Sequence, residues 1–208
     1  MLDRLSEHAI TTLEQLREIY PAPAERAWRK EVDQFDDHCR RFISLSPFVL
    51  LASSDADGAC DVSPKGGPPG FVRVLDAQRL AIGDATGNRR LDSLQNLLVN
   101  PRIGLLFLIP GMGETLRVNG RASLSRDPEL LDGLQTGGRP AMLALVVTVE
   151  HAYLHCAKAL LRSGIWRAET WAASDELPSA AEILNDHIGL GDLEASQAAL
   201  TESYTTRL

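Results

Sequence analysis

The chain lacks the sequence features of membrane, secreted and disulfide-stabilised proteins. None of its apolar runs approaches the ~20 residues of a transmembrane helix. The N-terminal residues are mixed and charged, unlike a signal peptide. Cysteines number only three, an odd count with wide spacing and no Cys-x-x-Cys pair: Cys39, Cys60 and Cys156. We therefore expect reduced thiols and a cytoplasmic protein without a membrane partner.

Positive charge is also scarce, except in one segment. The formal net charge of −7 at pH 7 argues against nucleic acid as the main partner. Between Lys65 and Arg126, however, nine Lys or Arg residues stand against four Asp or Glu residues, so this segment carries +5 and the rest −12. A basic centre in an acidic protein favours a small anionic ligand over a polyanion.

Recognisable catalytic and metal-binding patterns are missing as well. His151 and His155 share a strand face, but no third ligand follows at metal-site spacing, so we expect no metal. The glycines at 111–113 form a turn without the βαβ context of a dinucleotide site. Residues 63–65 do not form the Ser-x-x-Lys motif of acyl enzymes. The catalytic residues therefore stay unknown.

Apolar residues at helical spacing flank a central region in which this helical spacing is absent. Two apolar stripes at helical spacing, in 5–20 and 24–42, predict amphipathic helices that face a core. The stripes consist of Leu5, Ala9, Leu13 and Leu16, and of Ala24, Trp28, Val32, Phe35, Cys39 and Phe42. Another amphipathic segment follows residue 177. We expect an N-terminal helical segment at 1–46, a central domain at 47–170, and a C-terminal helical tail at 171–208 packed on it.

The central region reads as short strands separated by turns. The predicted strands are 48–53, 59–63, 71–74, 79–82, 103–109, 115–125 and 143–156, with one helix inserted from Leu91. Residues 64–70 hold three prolines and three glycines, which excludes a regular strand there. Short antiparallel strands at this spacing predict a mainly β fold with helical attachments (α+β), a small closed or split barrel.

The most informative stretch is the turn that precedes the inserted helix. Strand 79–82 runs into Gly, Asp and Asn residues, and Arg89 and Arg90 follow where the helix begins. A helix N-terminus offers unpaired N–H groups, and arginine binds phosphate oxygens with paired hydrogen bonds. The pattern therefore indicates an anion site. Taken alone, two adjacent arginines are more often solvated surface charges than an anion site.

Six blocks of sequence, in order, resemble the pyridoxamine-phosphate-oxidase-like split-barrel flavoproteins, and among them a bacterial group of FMN-dependent enzymes. Each block is short, but together they span roughly residues 48 to 167. They are Val62–Gly66, Pro69–Asp76, Gly87–Ser93, Asn100–Phe107, Glu114–Ala122 and His155–Leu160, followed by Arg162, Ser163 and Trp166.

The resemblance implies an antiparallel FMN-binding split β-barrel and a homodimer with FMN at the interface. It assigns the FMN phosphate to Asn88, Arg89, Arg90 and Ser93. It places the strand Phe71, Val72 and Arg73 along the flavin ring. Gly83 and Asp84 correspond to positions that touch flavin and the ribityl chain, and Thr115 to a side chain near the ring.

Several cations have a predicted place near the flavin. Lys65 is either a loop charge or a cation at the pyrimidine edge, where it would favour reduced flavin. Arg73 points either into a polar cleft or into solvent, and the resemblance favours the cleft. Arg117 and the segment Lys158–Trp166, which includes Arg162, are the candidates for what one subunit lends to the other's flavin.

The resemblance implies an FMN-dependent oxidoreductase acting on an unknown small molecule. The alternative is a non-catalytic flavin-binding or redox-sensing protein. Oxidation of pyridoxine phosphate is not assigned, because Trp166 and Arg167 are present without the expected downstream arginine. Split barrels also hold haem and deazaflavin, but the turn around Arg89 and the lack of an axial ligand pattern favour FMN.

Overall fold

A computed structural model describes residues 2–84, 87–189 and 191–206 of the chain. The chain divides into two compact units between Glu31 and Val32. The predicted three-part division, at 46 and at 170, remains a prediction, and the spatial grouping differs from it in joining residues 32–46 to the sheet.

The first unit contains three short helices. They are α1 (Leu2–Glu7), α2 (Leu13–Ile19) and α3 (Arg26–Arg29). Thr12 starts α2 through a capping box with Gln15, which breaks the continuous helix predicted over 5–20. The prediction that this stripe faces a core is wrong for Leu13 and Leu16, which are 61% and 42% exposed.

The second unit is built on one antiparallel seven-stranded sheet. Its strands are β1 (Phe48–Ser54), β2 (Cys60–Gly66), β3 (Val72–Val74), β4 (Arg79–Asp84), β5 (Arg102–Leu108), β6 (Thr115–Ser125) and β9 (Leu143–His155). Across the sheet their order is β2-β1-β5-β6-β9-β4-β3. Alternate residues of each strand turn inward, for example Val49 and Leu51 on β1. The sheet curls around these residues into a half-barrel with helical additions, which confirms the predicted fold class.

Two helices cover the inner face of the sheet. One is α4 (Asp37–Leu45), whose Phe42 and Ile43 are buried in the main core, and the other is α5 (Asp92–Val99), which buries Leu97 there. The helix predicted over 24–42 is therefore interrupted. Val32 forms an extended backbone bridge with Ala152, and a new helix can begin only after it.

The strand β2 corrects the expectation that residues 64–70 exclude regular structure. The strand continues through Pro64, which pairs with Leu50, and ends at Gly66. Because β2 is the edge strand, a proline there loses no hydrogen bond within the sheet. This extension carries Lys65 on a strand rather than on a loop.

An insertion between β6 and β9 covers part of the outer face. It comprises α6 (Pro128–Asp132) and the short hairpin β7 (Gln135–Thr136) and β8 (Arg139–Pro140). Leu134 and Ala141 of this insertion pack on Ala81 and Ala144 of the sheet and form a second, small core.

The chain ends in helices. They are α7 (Lys158–Ser163), a 3₁₀ turn at Ala168–Thr170, α8 (Ala180–Ile188) and α9 (Leu193–Thr206). Ala181 and Ser196 are buried, but Ile188 and Tyr204 remain about 60% exposed. Within the residues that the structure describes, no helix is long and apolar enough to cross a membrane.

Candidate functional site

Lys65 and Asp84 connect strands that lie far apart in the order of the sheet. Lys65 belongs to β2, at one edge, and Asp84 ends β4, next to the opposite edge. Lys65 Nζ donates to Asp84 Oδ1 at 2.5 Å, and the two side chains are only 28% and 15% exposed. Such a contact requires the sheet to curl until its ends meet. We call the end of the half-barrel at which Lys65 meets Asp84 the barrel mouth.

The turn at 87–91 brings two arginines to the barrel mouth. Arg89 and Leu91 have φ angles of 61° and 62°, in the left-handed region that large side chains rarely adopt. Such backbone conformations persist only where the surroundings hold them, and they cluster at functional sites. Ala85 and Thr86, which belong to the predicted turn, lie outside the described residues.

Side chains hold the arginine turn in place. Asn88 Oδ1 accepts a hydrogen bond from the Arg90 backbone N–H at 3.0 Å. Gln95 Nε2 donates to the Arg90 carbonyl oxygen at 3.0 Å. The Asn88 side chain therefore organises the turn itself.

The helix α5 begins one residue later than predicted, at Asp92, and among the residues that the structure describes no side chain caps it. The residue before it, Leu91, has no side-chain oxygen that could accept from the first-turn N–H groups. The uncapped end opens at the barrel mouth beside both arginines. It adds a partial positive charge to the site.

Acidic residues offset most of the cationic charge at the mouth. Lys65 pairs with Asp84, and Arg90 Nε donates to Asp92 Oδ2 at 2.6 Å. Among the described residues, Arg89 makes no ion pair. Three cations and two carboxylates leave one positive charge at the mouth, a balance that favours an anion over a cation as a ligand.

These groups enclose a pocket of about 140 Å³ at the barrel mouth, the anion pocket. Ser63 and Ser93 also line it, and their hydroxyl oxygens lie 2.8 Å apart. Sites for whole cofactors usually measure about 300–1,000 Å³. One chain therefore offers room for a phosphate-sized group and not for a complete flavin nucleotide.

Polar side chains attach α5 to the hairpin β1–β2. Asn96 Nδ2 donates to Ser53 Oγ at 3.1 Å and to Asp61 Oδ2 at 2.8 Å, and Asn96 is buried. The sequence interpretation missed Asn96, Asp61 and Ser63. Spacing could have found two of them, because Ser63 is two residues from Lys65 on a strand, and Asn96 is three residues from Ser93 on a helix.

The comparison with protein families decides the identity of this fold. The family model described as pyridoxamine 5'-phosphate oxidase matches residues 35–156, which is more than half of the chain. The chain belongs to the pyridoxamine 5'-phosphate oxidase family. The match covers the whole described sheet and the anion pocket. No curated protein sequence matches the chain significantly.

Several solved structures are similar to parts of this chain at low sequence identity. HupZ of Group A Streptococcus is 17% identical, covers 58% of this chain and 93% of its own, and has a TM-score of 0.47. A candidate pyridoxamine 5'-phosphate oxidase of Lactobacillus delbrueckii is 21% identical, with coverages of 59% and 95% and a TM-score of 0.45. A related FMN-binding protein of Nostoc punctiforme is 14% identical, with coverages of 58% and 80% and a TM-score of 0.40.

The strand expected along the flavin is the edge strand β3, next to β4, and none of its residues lines the anion pocket. Val72 of β3 is buried in the main core, and Phe71 is half-buried beside it. Arg73 pairs with Ala81, whose side chain belongs to the small core under the insertion. Arg73 lies against Gly133 and does not line the anion pocket.

Gly83 faces the insertion. A Cβ atom at Gly83 would lie 3.0 Å from the Cβ atom of Ala141 and 3.1 Å from Thr136 Oγ1. The next residue, Asp84, turns the opposite way and lines the anion pocket. Of these two predicted neighbours of the cofactor, a single chain brings only Asp84 to the mouth.

Thr115 and Arg117 lie on the outer face of β6. Thr115 is buried and pairs with His155 across the strands. Arg117 Nη1 donates to the Tyr153 hydroxyl at 2.9 Å and lies 5.5 Å from the ring centroid. Neither residue lines the anion pocket.

The segment Lys158–Trp166 lies beyond the end of β9. Lys158 and Arg162 on α7 are exposed. Trp166 Nε1 donates to the Met112 carbonyl oxygen at 2.8 Å, which ties the segment to the turn between β5 and β6. Across the described parts of the chain, no cluster of His, Cys, Asp and Glu has a metal-binding arrangement.

Proposed function

We propose that the protein binds FMN and works as an FMN-dependent oxidoreductase on a small molecule. The observation that carries this proposal is the anion pocket. It combines the uncapped start of α5, the unpaired Arg89, and Arg90 and Lys65 within reach. A phosphate monoester is the anion that suits such a group of donors, because arginine forks and helix N–H groups match its oxygens.

Asp84 and Asp92 have a defined part in this proposal. Each carboxylate holds one cation in place before the ligand binds. The arriving phosphate takes over the donors of Arg90 and adds those of Arg89. Preordered donors lower the entropy that binding costs. Lys65, whose side chain is 28% exposed and is held by Asp84, would be the cation at the flavin edge.

We propose a homodimer, because the anion pocket is too small for the flavin ring. The outer face of β2, β1 and β5 supports this proposal, because it presents four apolar side chains: Val62, Phe48, Leu106 and Leu108. Among the described residues, nothing covers most of Val62, which is 64% exposed. An apolar sheet face of this kind marks an interaction surface. A second copy would complete the site with the strand Phe71–Arg73, Thr115, Arg117, Lys158, Arg162 or Trp166.

Bound FMN would supply the electron-transfer chemistry, and the chain would supply binding, orientation and local charge. The family includes FMN-binding proteins, such as the one from Nostoc punctiforme. The three cysteines are free thiols, which favours the cytoplasm as the compartment.

The double variant Arg89→Ala/Arg90→Ala tests the cofactor. We expect it to fold and to purify without flavin absorbance, because two phosphate-binding forks are lost and each is worth about tenfold or more in affinity. The matched control is Arg26→Ala/Arg29→Ala, which removes the same charge from exposed positions of the first unit. If the Arg89/Arg90 variant keeps full flavin absorbance while it stays folded, the phosphate assignment is wrong.

Anaerobic mixing of the flavin-loaded protein with NADH or NADPH distinguishes an oxidoreductase from a non-catalytic flavin-binding or redox-sensing protein. Bleaching of the flavin band within seconds supports a nicotinamide-linked oxidoreductase. A bound flavin that neither donor reduces favours the non-catalytic or redox-sensing protein, or an enzyme with another electron donor.

A further inference from the structure

Two polar contacts join α5 to the strand β2 beside the anion pocket. Ser93 and Asn96 are buried and stand three residues apart, so they share one face of α5. Asp61 and Ser63, two residues apart, share the less exposed face of β2. The hydroxyl oxygens of Ser63 and Ser93 lie 2.8 Å apart. Asn96 Nδ2 donates to Asp61 Oδ2, also at 2.8 Å. We call these two contacts the polar ladder.

The polar ladder leads into the anion pocket along both elements. Lys65 lies two residues beyond Ser63 on the same face of β2, and it lines the pocket. On α5 the residues that precede Ser93 are the uncapped helix start, and they line the pocket as well. The ladder therefore sets the register of the strand against the helix. That register decides whether Lys65 and the first N–H groups of α5 reach the same ligand.

Asn96 is an unfavourable residue for the buried face of a helix unless its amide is used. Asparagine is a weak helix former, and a buried amide without hydrogen bonds costs free energy. Here the amide reaches two strands, because Nδ2 donates to Asp61 on β2 and to Ser53 Oγ on β1 at 3.1 Å. Apolar contacts are non-directional, whereas hydrogen bonds to two strands fix where the helix lies. Asn96 itself does not line the anion pocket, so any effect on a ligand passes through α5.

We propose that Asn96 is a positioning residue for the anion pocket, and that it holds α5 in the register at which the helix start and Lys65 bind one phosphate. The inference rests on the proposed FMN function and deepens it, because it names a residue outside the pocket that sets the affinity for phosphate. The pocket has room for the phosphate and not for the flavin ring. Loss of the Asn96 contacts should therefore weaken binding of the phosphate and spare binding of the ring.

Riboflavin, which is FMN without its phosphate, isolates this effect on the full chain stripped of flavin. The dissociation constant of riboflavin divided by that of FMN measures what the phosphate contributes. Asn96→Ala should lower this ratio about tenfold, the size of one charge-assisted hydrogen bond, and leave riboflavin binding close to that of the parent. The matched control is Asn100→Ala, which breaks the bond of 2.9 Å from Asn100 Nδ2 to Ser54 Oγ at the other end of α5. It should also lower stability in urea but leave the ratio unchanged.

An exchange of the two side chains tests the contact between Asn96 and Asp61 itself. Asn96→Asp sets a second carboxylate against Asp61, so the ratio should fall at least as far as in Asn96→Ala. Adding Asp61→Asn restores a hydrogen bond with donor and acceptor exchanged, and should recover most of the ratio. An unchanged ratio in Asn96→Ala, an equal fall in Asn100→Ala, or a double variant no better than Asn96→Asp would each overturn the positioning role. A parent protein that binds riboflavin as tightly as FMN would instead overturn the phosphate site of the proposed function.

Discussion

At the start of α4, two side chains change each other's chemistry. Asp36 Oδ1 accepts a hydrogen bond from the Cys39 backbone N–H at 2.7 Å, and this bond lowers the pKa of Asp36 below its ordinary value of 3.8. Burial, and then the nearby Asp36 carboxylate, raise the pKa of the Cys39 thiol to about 11. The helix cap is therefore an anion, and the thiol beneath it stays protonated.

The cap at Asp36 should make stability depend on pH. Because its folded pKa is depressed, its contribution is fully present above the unfolded pKa of about 3.8 and is lost as pH falls through the folded pKa. Asp36→Ala should lower the free energy of unfolding by about 1 kcal/mol at neutral pH, measured in urea. The difference between variant and parent should shrink as the pH falls below 3.8.

Asp36→Asn is the matched control for the charge. Asparagine caps helices nearly as well but does not titrate. It should therefore stay close to the parent at neutral pH and lose the pH dependence that Asp36 contributes. Equal losses for Asp36→Ala and Asp36→Asn would contradict the cap geometry.

The three thiols should differ in reactivity. Cys60 and Cys156 are exposed, whereas Cys39 is buried and has the raised pKa. Since the thiolate is the reactive form, a disulfide reagent should label two thiols in the native protein and the third only on unfolding. In the variant Cys60→Ser/Cys156→Ser, Cys39 is the remaining thiol, and we expect the reagent to label it only after denaturant is added. A Cys39 that reacts as fast as the other two would disprove its burial.

Among the elements, the strands β6 and β9 show how much depends on one backbone contact. The pairing of β6 with β9 shifts register between Asn119 and Gly120. A Cβ atom at Gly120 would collide with the backbone carbonyl oxygen of Thr148 and lie 3.2 Å from the Cα atom of Val149. Backbone atoms cannot move aside as the end of a side chain can, so the bulge requires glycine.

Two glycine substitutions compare this bulge with its neighbour. Gly120→Ala should lower the free energy of unfolding by at least about 3 kcal/mol, the upper end of the usual cost of overpacking. Gly104→Ala, on the adjacent strand, should cost less than about 1 kcal/mol, because its nearest neighbour would be Asn119 Oδ1 at 3.5 Å. Chemical denaturation measures both, and similar losses in the two variants would argue against the collision.

For the whole molecule, the proposed dimer predicts a mass of two chains of 22.7 kDa in light scattering. Val62→Lys places a charge on the exposed outer face of β2, so we expect it to shift the protein toward monomer and to weaken flavin retention. Leu98→Lys changes a leucine on α5 that is 73% exposed, against 64% for Val62, and should leave the dimer intact. A native monomer that binds FMN tightly would rule out a site shared by two chains.

The sequence predicted the bounds of some strands correctly but missed the extension of one strand and the starts of two helices. The bounds of β6 agree with the prediction, because its alternation and flanking turns are local properties. The continuation of β2 through Pro64 was missed, because only the order of strands reveals that β2 is an edge. The helix breaks at Thr12 and Asp36 were also missed, although both residues are common N-caps.

The sequence by itself determined the antiparallel barrel pattern, the family resemblance and the arginine turn, since each rests on residues that are neighbours along the chain. Only the tertiary structure decided that Lys65 meets Asp84, that Ser63 meets Ser93, and that Arg73 rests on Gly133. These pairs are separated by 19, 30 and 60 residues. Periodicity shows which face a side chain takes, but the curl of the sheet and the docking of the insertion determine which faces meet.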